Sequence, residues 1–452
     1  MSILAPAGAG AQNSKPVTLP SPDDRFKADI LVFVGHPDDE AAATMYLARA
    51  LDEGKRVGVV FGTRGGSGRN TAGTEHAAAL ADIRELEARR ACATLGITNV
   101  WFLGGKDTAS QNVLQSLASW GHGAALEEAV RLVRLTRPEV ILTYLPGVFI
   151  GENHGDHQAV GVIATEAFDM AADPAVFPAQ VAGATRRLEP FLEGLRPWQP
   201  KKLYFYHDGG HEDLFKGTGP EYSVRDVAKS RNWPYWRLGV EAFRAHETQA
   251  KGFLDSLAKM SEAEIEKMAT SSRWTDKQRF VFGKSLVGGS VTGDIFEGIS
   301  SAAIGPEKRA ASESPAPGGF VFQLAGPWGF DEVFRPAHGL SGLPQASPPE
   351  IAVQERTTLY LPLHIRNGLG STKEIALSLD MPANWKSTSE MRYQLRDNED
   401  AEIRLDIDLP AIASAEENAR EEHDVIVRAE AAGQKLGELK LHVQLRKRAL
   451  PQ

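Results

Sequence analysis

Ile30-Leu31-Val32-Phe33-Val34-Gly35-His36-Pro37-Asp38-Asp39-Glu40 is five apolar residues, then a glycine, a histidine, a proline and three carboxylates. A short apolar run rich in β-branched side chains reads as a buried strand. From Ala42 to Leu51 the apolar residues return at helical period, so the polar cluster lies in the loop between strand and helix. The same alternation continues outward. Arg56 to Gly62 reads as a strand, Leu80 to Leu95 as a helix stopped by Gly96, and Asn99 to Leu103 as a third strand. Ala124 to Thr136 is a helix halted before Pro138, Glu139 to Tyr144 a fourth strand, Lys202 to Tyr206 a later one, and Val240 to Met268 is helical in pattern. Strands and helices alternating over short connections predict an α/β fold, a parallel sheet with helices on both faces. Ligands of such sheets bind outside the carboxyl ends of the strands, which is where the 35–40 cluster falls.

The rest of the chain bounds the answer. Its 452 residues, 42% hydrophobic and 24% charged, exclude collagen-like, low-complexity and wholly disordered classes. A net charge of −9 offers no broad footprint for nucleic acid, and no apolar run approaches the ~18 residues of a membrane span. Cys92, alone, closes no intrachain disulfide and builds no thiolate metal site. Near the start, Ala9-Gly10-Ala11 is similar to the cleavage end of an export signal, which makes an exported protein, periplasmic or extracellular, the expectation and a flexible tail on a cytoplasmic protein the alternative. Ala302 to Gly319 and Gly339 to Glu350 are crowded with Ala, Ser, Pro and Gly and read as linkers. Beyond them, Thr357 to Ile365, Glu374 to Leu379, Ala401 to Leu409, Glu422 to Ala429 and Leu436 to Leu445 alternate apolar and polar residues without helices between, the pattern of an all-β sandwich. The expected organisation is a tail over 1–23, a catalytic domain over 24–300, an extension over 301–345 and the sandwich over 346–452.

Chemistry concentrates in two loops. His36 and Asp39 are an imidazole and a carboxylate three positions apart, a pairing that suits a borderline divalent metal, and the adjacent Asp38 is left free to act as a base. After the strand ending at Tyr144 comes Glu152-Asn153-His154-Gly155-Asp156-His157, followed by a helix expected over Gln158 to Met170. Both clusters sit at the same edge of the sheet, and together they hold enough donors for three metal ligands plus water. Thr63-Arg-Gly-Gly-Ser-Gly-Arg69 lacks the Gly-Lys-Ser/Thr ending of a phosphate loop and reads as a substrate-facing loop. His246 in His-Glu-Thr-Gln249 reads as a structural histidine.

His-Pro-Asp-Asp-Glu at 36–40 and His-x-Asp-His at 154–157 resemble the two signatures of the PIG-L/LmbE-like family of zinc-dependent deacetylases, which remove acetyl from N-acetylglucosamine in larger glycoconjugates. The similarity runs over roughly residues 24–300 and implies a Rossmann-like sheet. It implies His36, Asp39 and His157 as ligands of Zn2+, Fe2+ being the alternative ion, with Asp38 as general base and His154 as electrophilic acid oriented by Asp156. Arg84 and Asp107 match positions that face the sugar in that family. One departure lies at Glu152, where the mycothiol-pathway member of the family carries a tyrosine. The implied reaction is attack of a zinc-bound water on the acetamide of an N-acetylated sugar or glycoconjugate. Hydrolysis of another amide or ester, and carbohydrate binding without catalysis, are the alternatives. The C-terminal sandwich resembles Ig-like modules appended to bacterial glycosidases. Oligomeric state is left open by the sequence.

Overall fold

The computed structural model describes residues 22–147, 154–182, 195–206, 215–271, 277–300, 319–344, 348–414, 416 and 419–447. The export-like stretch at 9–11, the departure at Glu152 and nearly all of the 302–319 linker lie outside these residues.

Five parallel strands, β1 (Ile30–Val34), β2 (Val57–Thr63), β3 (Asn99–Gly105), β4 (Val140–Tyr144) and β5 (Lys202–Tyr206), form the main sheet in the order β3-β2-β1-β4-β5, and Val281–Ser285 adds an antiparallel edge. Every residue of β1, β2, β4 and β5 is buried, because helices cover both faces. That double cover is why these strands read as continuous apolar runs rather than as alternations. The strand order reverses between β1 and β4. Ligands of such sheets bind outside the carboxyl ends of the strands at this switch point, and the loops leaving these two strands carry the two polar clusters.

The covering helices are α1 (Thr44–Asp52), α2 (Ala77–Leu95), α3 (Val113–Trp120), α4 (His122–Thr136) and α5 (Gly155–Met170). A single turn of 3-10 helix over Asp39–Ala42 leads into α1. Gly96 ends α2 with φ 98, the left-handed stop its position in the sequence indicates. The short helix α3 was not expected; it starts where the Asn112 side chain accepts the N–H groups of Leu114 and Gln115 and ends at Gly121. The helical pattern over Val240 to Met268 resolves into Tyr235–Phe243, Glu247–Leu257 and Glu262–Ala269. A capping box of Ser261 and Glu264 restarts the last of these, so the continuous periodicity masked two breaks.

The C-terminal part is a two-sheet sandwich. Glu350–Gln354, Gln434–Arg446, Arg420–Ala431, Lys373–Asp380 and Arg392–Leu395 make one sheet, and Lys386–Ser387, Asp400–Asp408, Thr358–Arg366 and Val321–Leu324 make the other. Leu361, Leu363 and Ile365 alternate inward and join Leu405, Ile407 and Val427 in a core separate from that of the parallel sheet. The expected boundary at 346 needs correction. Val321–Leu324, from the presumed extension over 301–345, pairs with Leu363–Arg366 as an edge strand and buries Leu324 in the sandwich core. Helix Pro327–Ala337 follows it, placing Trp328 against the sandwich and Phe334 in the other core. Four residues between Gly-rich and Pro-rich stretches are too few to show a strand period. A fragment starting at 319 should therefore unfold at a higher temperature than one starting at 346, by roughly 5–10 °C for the burial of one Leu-sized side chain in a domain of this size. Equal midpoints in thermal unfolding would remove Val321–Leu324 from the sandwich's stable core.

Candidate active site

The loop after β1 folds back on itself. The His36 backbone N–H donates to Asp39 Oδ2 at 2.6 Å, and the Asp39 N–H returns to the His36 carbonyl at 3.2 Å. Between them Asp38 takes φ 106, a left-handed conformation that costs a non-glycine residue about 1–3 kcal/mol and persists only where the surroundings enforce it. They do so here. The Asp38 N–H donates to Glu40 Oε2 at 3.0 Å, and Glu40 Oε1 lies 2.6 Å from Nε2 of His246, a residue with no exposed surface. The Gln249 amide donates to the Pro37 carbonyl from the same segment.

The loop after β4 delivers its side chains through α5, which begins at Gly155 rather than at Gln158. His154 is its N-cap, with Nδ1 accepting the Asp156 N–H at 3.3 Å, and this capping is what brings Asp156 and His157 into the first helical turn. Both are buried.

The two loops meet in a triangle of donor atoms. His36 Nδ1 is 3.1 Å from His157 Nε2 and 3.1 Å from Asp39 Oδ2, and His157 Nε2 is 3.0 Å from Asp39 Oδ2. The His154 ring stands 4.7 Å from that of His36 and 5.0 Å from that of His157, centroid to centroid, so a third imidazole borders the same point. One ring nitrogen from each of His36, His154 and His157 falls within 4.8 Å of the other two. A tetrahedral zinc with bonds of about 2.0–2.2 Å spaces its ligands about 3.3–3.5 Å apart, within a few tenths of an ångström of the triangle. The donor set, two imidazoles and a carboxylate, also suits that ion. The residues fit a divalent metal.

On the far side of the His36 ring, Nε2 is 3.1 Å from Asp107 Oδ1 and 3.3 Å from Asp156 Oδ2. Thr108 donates to Asp156 from its backbone N–H and its hydroxyl, both at 2.8 Å, and the Ser67 N–H donates to Asp107 Oδ2 at 2.6 Å. A metal-ligating histidine commonly gives its other N–H to a carboxylate, which fixes the tautomer. This corrects two expectations. The Asp156 carboxylate turns to His36 and Thr108, and its link to His154 runs through the backbone N–H. Asp107, expected to face a sugar, is engaged by His36 and by the glycine-rich loop. Arg84 is buried too: its Nη2 donates to the Arg69 carbonyl at 2.8 Å, and a Cβ on Gly65 would stand 2.9 Å from its guanidinium. It therefore underpins the 63–69 loop.

Charges follow the geometry. Burial opposes a proton on His36, yet Asp39, Asp107 and Asp156 outweigh it and hold the imidazole well above its ordinary range. Burial likewise opposes the charge on Asp39, and His157 and His36 overcome it, keeping this carboxyl well below the usual range. Asp38 goes the other way, pushed up to about 7 by burial and by the charge of Asp39. Two adjacent carboxylates are thus separated into a permanent anion and a group that titrates near neutrality. His246 is held up at about 9, burial notwithstanding, by Glu40.

Sequence reading missed the Glu40–His246 pair, the Thr108 donors and Tyr144, whose ring packs 4.4 Å from that of His157. For His246 the structural role is the one expected.

Residues 31–168 match the family described as GlcNAc-PI de-N-acetylase, PIG-L. A 1D-myo-inositol 2-acetamido-2-deoxy-alpha-D-glucopyranoside deacetylase 1 from Frankia alni is 36% identical over 254 residues, 47% of this chain and 82% of that protein. Its namesake from Frankia casuarinae is 31% identical over 319 residues, 60% of this chain and 95% of that protein. Among solved structures, the N,N'-diacetylchitobiose deacetylase from Pyrococcus horikoshii is 18% identical, covering 57% of this chain and 84% of that one with a TM-score of 0.38. Matching identity over most of a relative's length and the family signature over both metal-donor loops, the chain belongs to the PIG-L family of deacetylases.

Proposed function

We propose that this chain removes the N-acetyl group from a substrate containing N-acetylglucosamine, with a divalent metal, zinc by its donor set, held by His36, Asp39 and His157. The observation that carries the reading is the triangle of donors with 3.0–3.1 Å edges at the sheet's switch point. The curated relatives act on 1D-myo-inositol 2-acetamido-2-deoxy-alpha-D-glucopyranoside, which supports the substrate class.

Zinc bound there would polarise the acetamide carbonyl and lower the pKa of water to about 7. The chain's residues supply the rest. Asp38, beside the donor triangle but not part of it, accepts the proton of the attacking water. His154, whose Nδ1 accepts the Asp156 N–H, offers its Nε2–H to the developing oxyanion, and the proton taken up by Asp38 passes to the departing amine. Asp156 and Asp107 fix His36 with Nδ1 toward the metal by accepting from Nε2. Acetate and a free amino sugar are the products.

Protein of measured metal content, offered a panel of N-acetylated sugars, inositol glycosides and acetyl esters, tests metal, bond and substrate together. About one divalent ion per chain and acetate release from the N-acetyl sugars are expected. Chelation should abolish turnover while leaving far-UV circular dichroism unchanged, because the strands carrying the donors are buried independently of any ion. Full activity in metal-free protein, or turnover of the esters alone, would sink the reading.

A further inference from the structure

The loop 106–112, between β3 and α3, is engaged on both sides. On one side it supplies Asp107 and Thr108 to the network around His36, and its Ser110 carbonyl accepts the N–H of Gly155, the first residue of α5, at 2.6 Å. On the other side Gln111 closes on the backbone of Ala352: Oε1 accepts the Ala352 N–H at 3.0 Å, and Nε2 donates to the Ala352 carbonyl. Ala352 belongs to Glu350–Gln354, an edge strand of the sandwich whose inner flank pairs in parallel with Gln434–Arg446. In a parallel pair the N–H and C=O of one residue point to the same side, so Ala352 turns both of its polar groups outward to Gln111. The amide of Gln111 thus continues the sheet by one residue and covers its edge.

A second contact runs in parallel. Asp331, paired with Arg335 at 2.9 Å, packs so closely on Gly147 that a Cβ there would collide with the carboxylate. Gly147 lies just beyond β4, on the loop that leads to His154. The 106–112 loop and the start of the loop after β4 are therefore both touched by residues from beyond 319.

We infer that the C-terminal sandwich holds the 106–112 loop in register with the metal site, and that Gln111 is a positioning residue acting through Asp107 and Thr108 on His36. This rests on the metal-site reading proposed above. Without the clamp, the loop keeps its covalent ends but loses the two bonds that fix its outer side, and the carboxylates facing His36 Nε2 lose their fixed placement.

The test uses the full chain. Gln111→Ala should weaken zinc binding about tenfold in a chelator competition, the lower end of what loss of an outer partner costs a metal ligand. It should also speed amide exchange across 106–112. Ala352→Pro removes the outward N–H without breaking a ladder bond and should do the same, proline being tolerated on edge strands. The double variant should be no worse than either single one, as two halves of one contact require. If Ala352→Pro does not fold, Gln111→Glu breaks the same contact by turning a carboxylate oxygen toward the Ala352 carbonyl. Unchanged zinc affinity and exchange in the Gln111 variants, or additive effects in the double one, would overturn the inference. A parent chain that binds no zinc would overturn the metal reading instead, and faster exchange at 106–112 in Gln111→Ala would then still support the clamp.

Discussion

Asp38→Asn is expected to lower kcat by about a hundredfold or more while leaving the metal content of the protein at the parent level. The two halves of that outcome come from different atoms. Removing the charged oxygen of Asp38 removes the proton acceptor, whereas the donor triangle is built from His36, Asp39 and His157 and does not include Asp38. Asparagine suits the position, because it tolerates the left-handed backbone at φ 106 better than most residues and keeps the N–H that Glu40 accepts. In metal-stripped protein the same substitution should raise stability, with a pH dependence that follows from the raised pKa. Between the ordinary carboxyl range and about 7 the folded chain binds a proton at Asp38 that the unfolded chain has released, so stability falls as pH rises through that window. Asparagine has no such proton to lose. The melting temperature of stripped Asp38→Asn should therefore exceed that of the stripped parent at pH 8, and the gap should close toward pH 4. Loss of metal from Asp38→Asn would make Asp38 a ligand, and a pH-independent gap would mean that its charge is not what the fold opposes.

The parallel sheet was legible because burial on both faces makes β1, β2 and β4 short apolar runs, and their length, β-branched content and bounding turn residues separate such runs from buried helix. His36 and Asp39, and His154 and His157, stand out in the sequence for a local reason: each pair lies within four residues, the first directly after β1 and the second at the start of α5. The direction of a carboxylate is not local. Asp156 sits two residues from His154, yet the Thr108 N–H and hydroxyl, 48 positions away in sequence, hold its carboxylate on the His36 side. Glu40 and His246 are separated by 206 positions, and nothing in either neighbourhood marks the other. The strand Val321–Leu324 escaped for a different cause. An edge strand that buries Leu324 against a long neighbour takes its stability from the partner, so its own sequence need carry little signal.

Gly35→Ala should cost metal affinity at least about tenfold and turnover with it, an effect on the scale of losing a partner of a ligand. Gly35 is not among the residues with positive φ, so an alanine there is free of backbone strain. The cost is aimed elsewhere. A Cβ would stand 2.8 Å from Cδ2 of His157 and 3.0 Å from Oδ2 of Asp39, two corners of the donor triangle, and neither can retreat without opening it. Gly239→Ala provides the contrast. Its Cβ would meet Met45 Cγ at 2.8 Å and Thr44 Oγ1 at 3.2 Å, an overpacked contact of similar closeness between α1 and helix Tyr235–Phe243, away from the donors. Overpacking of this kind costs about 1–3 kcal/mol, so both variants should melt lower than the parent when metal-free. Zinc titration separates them: Gly239→Ala should bind with parental affinity, and Gly35→Ala should not. Equal zinc affinities in the two would mean that the loop after β1 shifts as a body to admit the methyl group, and that the absence of a side chain at 35 serves the packing of the β1 turn rather than the spacing of His157 and Asp39.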